Sequence, residues 1–218
     1  EQNSISLLPP LLAGHRTAPE GTNRYEWQAW YLQVEKLLVH CISAYGRVFI
    51  GGHSIGGALA LLLAAHYECS GVITLSTLLK IRDWRVYLLP VLKHIISCWP
   101  KKERKTAVNC QCEGYDCYPL RGVDECVKML ARLRSSLSAV SAPLLAVHGK
   151  GDRRADAGDS RIIYETCSST KKDLILLDTD RHTLLHSDLA DTIIDTVTGF
   201  VNPGTVHLQD TPAAAGKR

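Results

Sequence analysis

Apolar residues recur at spacings of three and four from Tyr25 to Cys41. Trp27, Trp30, Tyr31, Val34, Leu37 and Leu38 fall on one side, which predicts an amphipathic helix. Arg47–Ile50 is a short apolar run ending at glycines, as a buried strand does. From Ile55 to His66 the pattern is helical and apolar all round, so this helix is expected inside the molecule. Gly71–Leu75 reads as the next strand and Asp124–Leu137 as an amphipathic helix. Pro143–His148 reads as a buried strand, Asp159–Cys167 as a helix, Leu174–Leu177 as a strand and Ser187–Val201 as a closing helix. Short apolar strands separated by helices imply an α/β fold, with a mostly parallel sheet covered by helices on both faces.

The periodicity loosens between residues 78 and 120. Trp84, Pro90, Trp99, Pro100, the run Lys101–Lys105 and a group of cysteines fall there, as in an insertion lying over a sheet. The expected organisation is a core of residues 1–77 and 121–201, interrupted by the insertion 78–120. A flexible tail, 202–218, is rich in Pro, Gly, Ala and Thr.

Composition narrows the class little. The chain has 218 residues, 45% hydrophobic and 22% charged, as one globular domain does. A net charge of +3 is too small to imply nucleic acid or an anionic membrane as the main partner. The run Lys101–Lys105 includes Glu103 and lacks interleaved aromatics, so it reads as a solvated surface. Val86–Trp99 is apolar but holds Pro90, Lys93 and His94, and falls short of the roughly 20 residues that span a bilayer. No integral membrane segment is expected. Cys110, Cys112 and Cys117 lack paired C-x-x-C spacing, so incidental thiols or one local disulfide are expected rather than zinc. The default compartment is the reducing cytoplasm.

In open parallel sheets, sites form at the carboxyl ends of strands. The first such end carries Gly52-His53-Ser54-Ile55-Gly56, a G-x-S-x-G between a strand and a buried helix. That setting is a nucleophile elbow: small flanking residues let the chain turn sharply and lift the serine hydroxyl out of the sheet. The N–H of Ile55, at the start of the helix, is an expected oxyanion donor. A serine needs a base, and the base an acid, in the chain order Ser, acid, His. Asp152 follows one later strand and His182 the next. Asp156 and Asp159 are fallback acids, Asp159 reading better as a helix N-cap. His186 is the rival base. His53, Leu78, Val86 and Leu89 are expected to bound the substrate pocket. This chemistry needs no metal and no cofactor.

These residues resemble the α/β-hydrolase superfamily, and within it the bacterial carboxylesterase and monoacylglycerol lipase group. The likeness is carried by Pro10 to Glu20 with Trp27 and Trp30, by the elbow Gly51–Ala60, by Pro143–Tyr164 and by Lys172–Asp188. It implies Ser54 as nucleophile, Asp152 as acid, His182 as base, a cap over 78–120, and a small ester or lipid substrate. Peptidase, thioesterase and acyltransferase chemistry on the same fold are alternatives, as is a truncated, non-catalytic binding protein. Arg16 stands where the group usually has glycine. The chain opens at Glu1, and the resemblance implies earlier strands, one bearing an H-G-x oxyanion donor. The first strands are therefore expected to be missing, leaving a sheet edge open and one donor lost, about 10²–10³ in rate.

Overall fold

The computed structural model of the chain describes residues 5–101 and 115–203. Cys110, Cys112, the run after Lys101 and the tail beyond Pro203 lie outside the described residues.

After a single helical turn, α1 (Pro19–Thr22), the amphipathic pattern becomes the long helix α2 (Trp27–Ala44). Strand β1 (Phe49–His53) leads into α3 (Ile55–Ala64), and β2 (Gly71–Leu75) follows. The segment after β2 holds a 3₁₀ turn (Trp84–Leu88), the short helix α4 (Leu89–Leu92), and the two-stranded antiparallel pair β3 (Cys98–Pro100) and β4 (Cys117–Pro119). Helix α5 (Leu120–Arg134), β5 (Leu144–Gly149), α6 (Ala157–Thr166), β6 (Lys172–Leu177) and α7 (Ala190–Val201) complete the order.

The four main strands lie in the order β1-β2-β5-β6, and every pair is parallel. Side chains alternate between the two faces. Ile50, Val72 and Leu144 pack into the larger core, with the fully apolar helix α3, with Met129, Leu130 and Leu133 of α5, and with Ile163 of α6. Ile73, Leu75, Leu145 and Val147 face the other way, onto Leu184 and onto Ile193 of α7. Helices therefore cover both faces. Helix α3 is buried because the only side chains it carries between Ile55 and Ala64 are Ala, Leu and Ile.

Element order follows the sequence pattern, and the boundaries move. The first strand extends to His53 instead of stopping at Ile50, because Gly51 and Gly52 continue the ladder opposite Ile73 and Thr74. Helix α5 starts earlier than expected, at Leu120 directly after β4. The closing helix starts later, at Ala190, after a 3₁₀ turn over Leu184–His186. β1 has no second neighbour among the described residues, and Gly51 on it is exposed.

Candidate active site

Three loops at the carboxyl ends of β1, β5 and β6 meet at one rim of the sheet. Ser54 follows β1 with φ 56° and ψ −120°, a left-handed conformation that L-residues adopt at a cost. Its amide donates to the carbonyl of Leu75 at 2.8 Å, which ties the turn to β2. The turn demands small neighbours: a Cβ on Gly52 would collide with the backbone of Gly56 and Gly57. A Cβ on Gly57 would collide with the Thr77 hydroxyl, so this third glycine lets α3 close on the end of β2. Ile55, the first residue of α3, has an amide with no carbonyl four residues back in the helix, and the N-terminal end of the helix dipole lies here.

The Ser54 hydroxyl lies 3.0 Å from Nε2 of His182. Nδ1 of the same ring lies 2.7 Å from Oδ2 of Asp152. The Asp152 side chain is shut off from solvent. Its other oxygen accepts from the amides of Arg154 and Ala155, at 2.8 and 3.2 Å. Burial pushes the Asp152 carboxyl up, but bonds from His148, His182 and these two amides outweigh it, and the carboxyl is held far below its usual range. An ionised acid that accepts from Nδ1 leaves Nε2 as the proton acceptor facing Ser54.

Ser54, Asp152 and His182 are brought together, with Ile55 beside them. His53 also reaches the site, but its Nε2 is committed: it donates to the main-chain carbonyl of His182 at 2.9 Å, with the two rings 4.7 Å apart. Burial lowers the His53 pKa, against the pull of that carbonyl, which favours the neutral ring. Leu78 is part of the larger core, Leu89 is buried and Val86 half-buried. Tyr87, Val91 and Ile95, near Leu89 in the chain, face solvent.

The alternative residues take other roles. Asp156, not Asp159, caps α6, accepting from the Gly158 amide at 2.6 Å. Asp159 is buried and accepts from the Leu79 amide at 2.9 Å, because α6 starts two residues earlier than expected. His186 ends the 3₁₀ turn after His182, and the bond to Ser54 comes from His182. Among the described residues one disulfide is present, and it joins Cys117 to Cys98, where β3 and β4 pair.

His148 escaped the sequence reading. It is fully buried on β5, with Nδ1 2.6 Å from Ser160 Oγ and Nε2 3.5 Å from Asp152 Oδ2, behind the acid. Its signal was a single polar residue in an otherwise apolar strand.

A family model described as serine aminopeptidase, S33, matches residues 26–188. The chain belongs to this family. It is also 24% identical over 180 residues to the thermostable monoacylglycerol lipase of Bacillus sp. (strain H-257), covering 79% of this chain and 70% of that one. Among solved structures, one from work on LipS and LipT, two metagenome-derived lipolytic enzymes, superimposes with a TM-score of 0.82 at 19% identity. That match covers 89% of this chain and 80% of the other. A soluble variant of monoglyceride lipase from Saccharomyces cerevisiae, bound to a substrate analogue, matches with a TM-score of 0.72 at 17% identity, over 88% and 75% of the two chains. At these identities the structural likeness fixes the fold, which is that of the α/β hydrolases. No helix among the described residues is long and apolar enough to cross a membrane.

Proposed function

We propose that this chain is a serine hydrolase that cleaves carboxylic esters of the monoacylglycerol type through Ser54, His182 and Asp152. The observation that carries the reading is the unbroken line Ser54 Oγ, His182 Nε2 and Nδ1, Asp152 Oδ2, with steps of 3.0 and 2.7 Å. His182 takes the Ser54 proton as Ser54 Oγ attacks the ester carbonyl. The oxyanion that forms is held by the Ile55 amide. As the intermediate collapses, the alcohol leaves with the proton from His182, and the acyl group stays on Ser54. Water, losing a proton to His182, then releases the acid and restores Ser54. Leu78 and Leu89 are buried behind the segment after β2, and the half-buried Val86 is the one of the three left to border a substrate.

The family description favours a second reading, an aminopeptidase. That activity needs a free carboxylate to hold the substrate's terminal amine. Of the carboxylates close in sequence to the proposed acid, Asp156 pairs with Arg82 and Asp159 is buried and accepts from the Leu79 amide. Neither is free to hold an amine, which favours the ester reading.

The test is hydrolysis of 4-nitrophenyl butyrate, a monoacylglycerol and an aminoacyl nitroanilide by the chain and by Ser54→Ala. The expected result is ester cleavage that falls at least about 10³-fold in the variant. Ester cleavage that survives Ser54→Ala, or a clear preference for the anilide, overturns the reading.

A further inference from the structure

Strand β5 is buried from end to end, and His148 is the one polar side chain in it. A buried polar ring costs free energy unless its nitrogens find partners. Nδ1 lies 2.6 Å from the hydroxyl of Ser160, itself fully buried on α6. Nε2 lies 3.3 Å from the Ala155 carbonyl and 3.5 Å from Asp152 Oδ2. Both neighbours of Nε2 are oxygens without a proton, a carbonyl and an ionised carboxylate. Nε2 therefore carries the hydrogen and directs it between them, and Nδ1 accepts from the Ser160 hydroxyl. That hydroxyl has no other partner among the described residues.

We infer that His148 is a positioning residue for the proposed acid: it holds Asp152 Oδ2 in line with His182, in the tautomer that Ser160 fixes. The inference rests on the reading of Ser54, His182 and Asp152 as the reacting groups. Placement supports it. Asp152 lies in a loop three residues beyond the end of β5, followed by the exposed Arg153 and Arg154. His148 lies on the strand itself, which pairs with both β2 and β6. A loop side chain takes its orientation from its partners. Oδ1 of Asp152 is bonded to amides of its own loop. Oδ2 meets His182 at 2.7 Å, and His148 is the other side chain that reaches it. Ala155 is held at both ends, its amide on Asp152 Oδ1 at 3.2 Å and its carbonyl on His148 Nε2 at 3.3 Å. Asp152, Ala155 and His148 thus form a closed circuit whose fixed member is the strand. At 3.5 Å the step to Oδ2 is long for a hydrogen bond, but close for an N–H dipole facing a buried charge. His148 therefore acts on the direction and charge of the carboxylate, and touches neither Ser54 nor the proton that Ser54 gives up.

The test compares His148→Gln, His148→Leu, and His148→Leu combined with Ser160→Ala, by turnover of 4-nitrophenyl butyrate and by thermal unfolding. His148→Leu removes the donor and leaves the Ser160 hydroxyl buried alone, so kcat and melting temperature are both expected to fall. The fall in kcat is expected to be about 10- to 100-fold, with KM nearly unchanged. Adding Ser160→Ala removes the orphaned hydroxyl, and is expected to restore much of the melting temperature but not kcat. His148→Gln keeps a donor near the Nε2 position and is expected to recover most of kcat. Parent-like kcat in His148→Leu overturns the inference, and so does kcat that returns with the melting temperature in the double variant. Nitrogen NMR of the histidine-labelled parent is expected to show the His148 hydrogen on Nε2. A hydrogen on Nδ1 overturns the inference without any variant having to fold. A parent that cleaves no ester removes the ester reading alone, and the rate of fluorophosphonate labelling at Ser54 then carries the same comparison. A parent that also resists labelling removes the reacting groups, and this inference with them.

Discussion

Asp152 keeps its charge while fully enclosed, because four donors surround it. Its folded-state pKa lies below that of the unfolded chain, about 3.9 for an aspartate. The stability it contributes is therefore complete above that value and is lost as pH falls below it. Urea titrations from pH 6 down to pH 3 are expected to show a steeper loss for the parent than for Asp152→Asn, and equal slopes would contradict the hydrogen-bonded carboxylate. In the proposed reaction the same variant offers the wrong tautomer to Ser54 and is expected to lose about 10⁴ in kcat. Arg16 makes the opposite point about local conformation. It sits exposed at φ 55°, two residues after Gly14 at φ 80°. The sequence reading marked the position for its charge, but the backbone is what favours glycine there. Arg16→Gly is expected to raise unfolding stability by up to about 1 kcal/mol in urea denaturation. Ser54, Asp152 and His182 were legible because their chemistry fixes residue type and chain order. His148 was not, because a buried histidine is recognised by its neighbours in space.

At the scale of elements, legibility followed periodicity. β2 is legible to the residue because Val72, Ile73, Thr74 and Leu75 are all apolar or β-branched and lie between Ser70-Gly71 and Ser76. β1 was cut short because glycines read as a stop, whereas in a ladder they cost only side-chain packing. The apolar segment Val86–Trp99 is split by the fold: Leu89 is buried, whereas Tyr87, Val91 and Ile95 turn out to solvent. The Cys98–Cys117 bond closes a loop between positions 19 residues apart, across β3 and β4. A loop of that size is expected to contribute about 3 kcal/mol, chiefly by restricting the unfolded chain. Cys98→Ser with Cys117→Ser is therefore expected to lower the melting temperature by several degrees in calorimetry, with little change on β5 and β6. An unchanged midpoint would contradict a bonded pair in solution.

The whole molecule turns on how a parallel sheet delivers chain ends. Ser54, Asp152 and His182 are separated by 98 and 30 positions in the chain, yet β1, β5 and β6 all point the same way and end at one rim. Hydrophobic patterning decides the sheet and its covering helices, and the sheet then decides which loops can meet. An open sheet edge was expected from the resemblance; among the described residues β1 pairs only with β2, and Leu32, Val39 and Ile42 of α2 are exposed. The central claim is that this convergence makes one hydroxyl acylable. The direct measurement is intact-protein and peptide mass spectrometry after treatment with a fluorophosphonate. The account predicts one adduct, on the peptide bearing Ser54, formed much more slowly when His182 is replaced by Ala. A chain that remains unmodified, or an adduct on another serine, would contradict it.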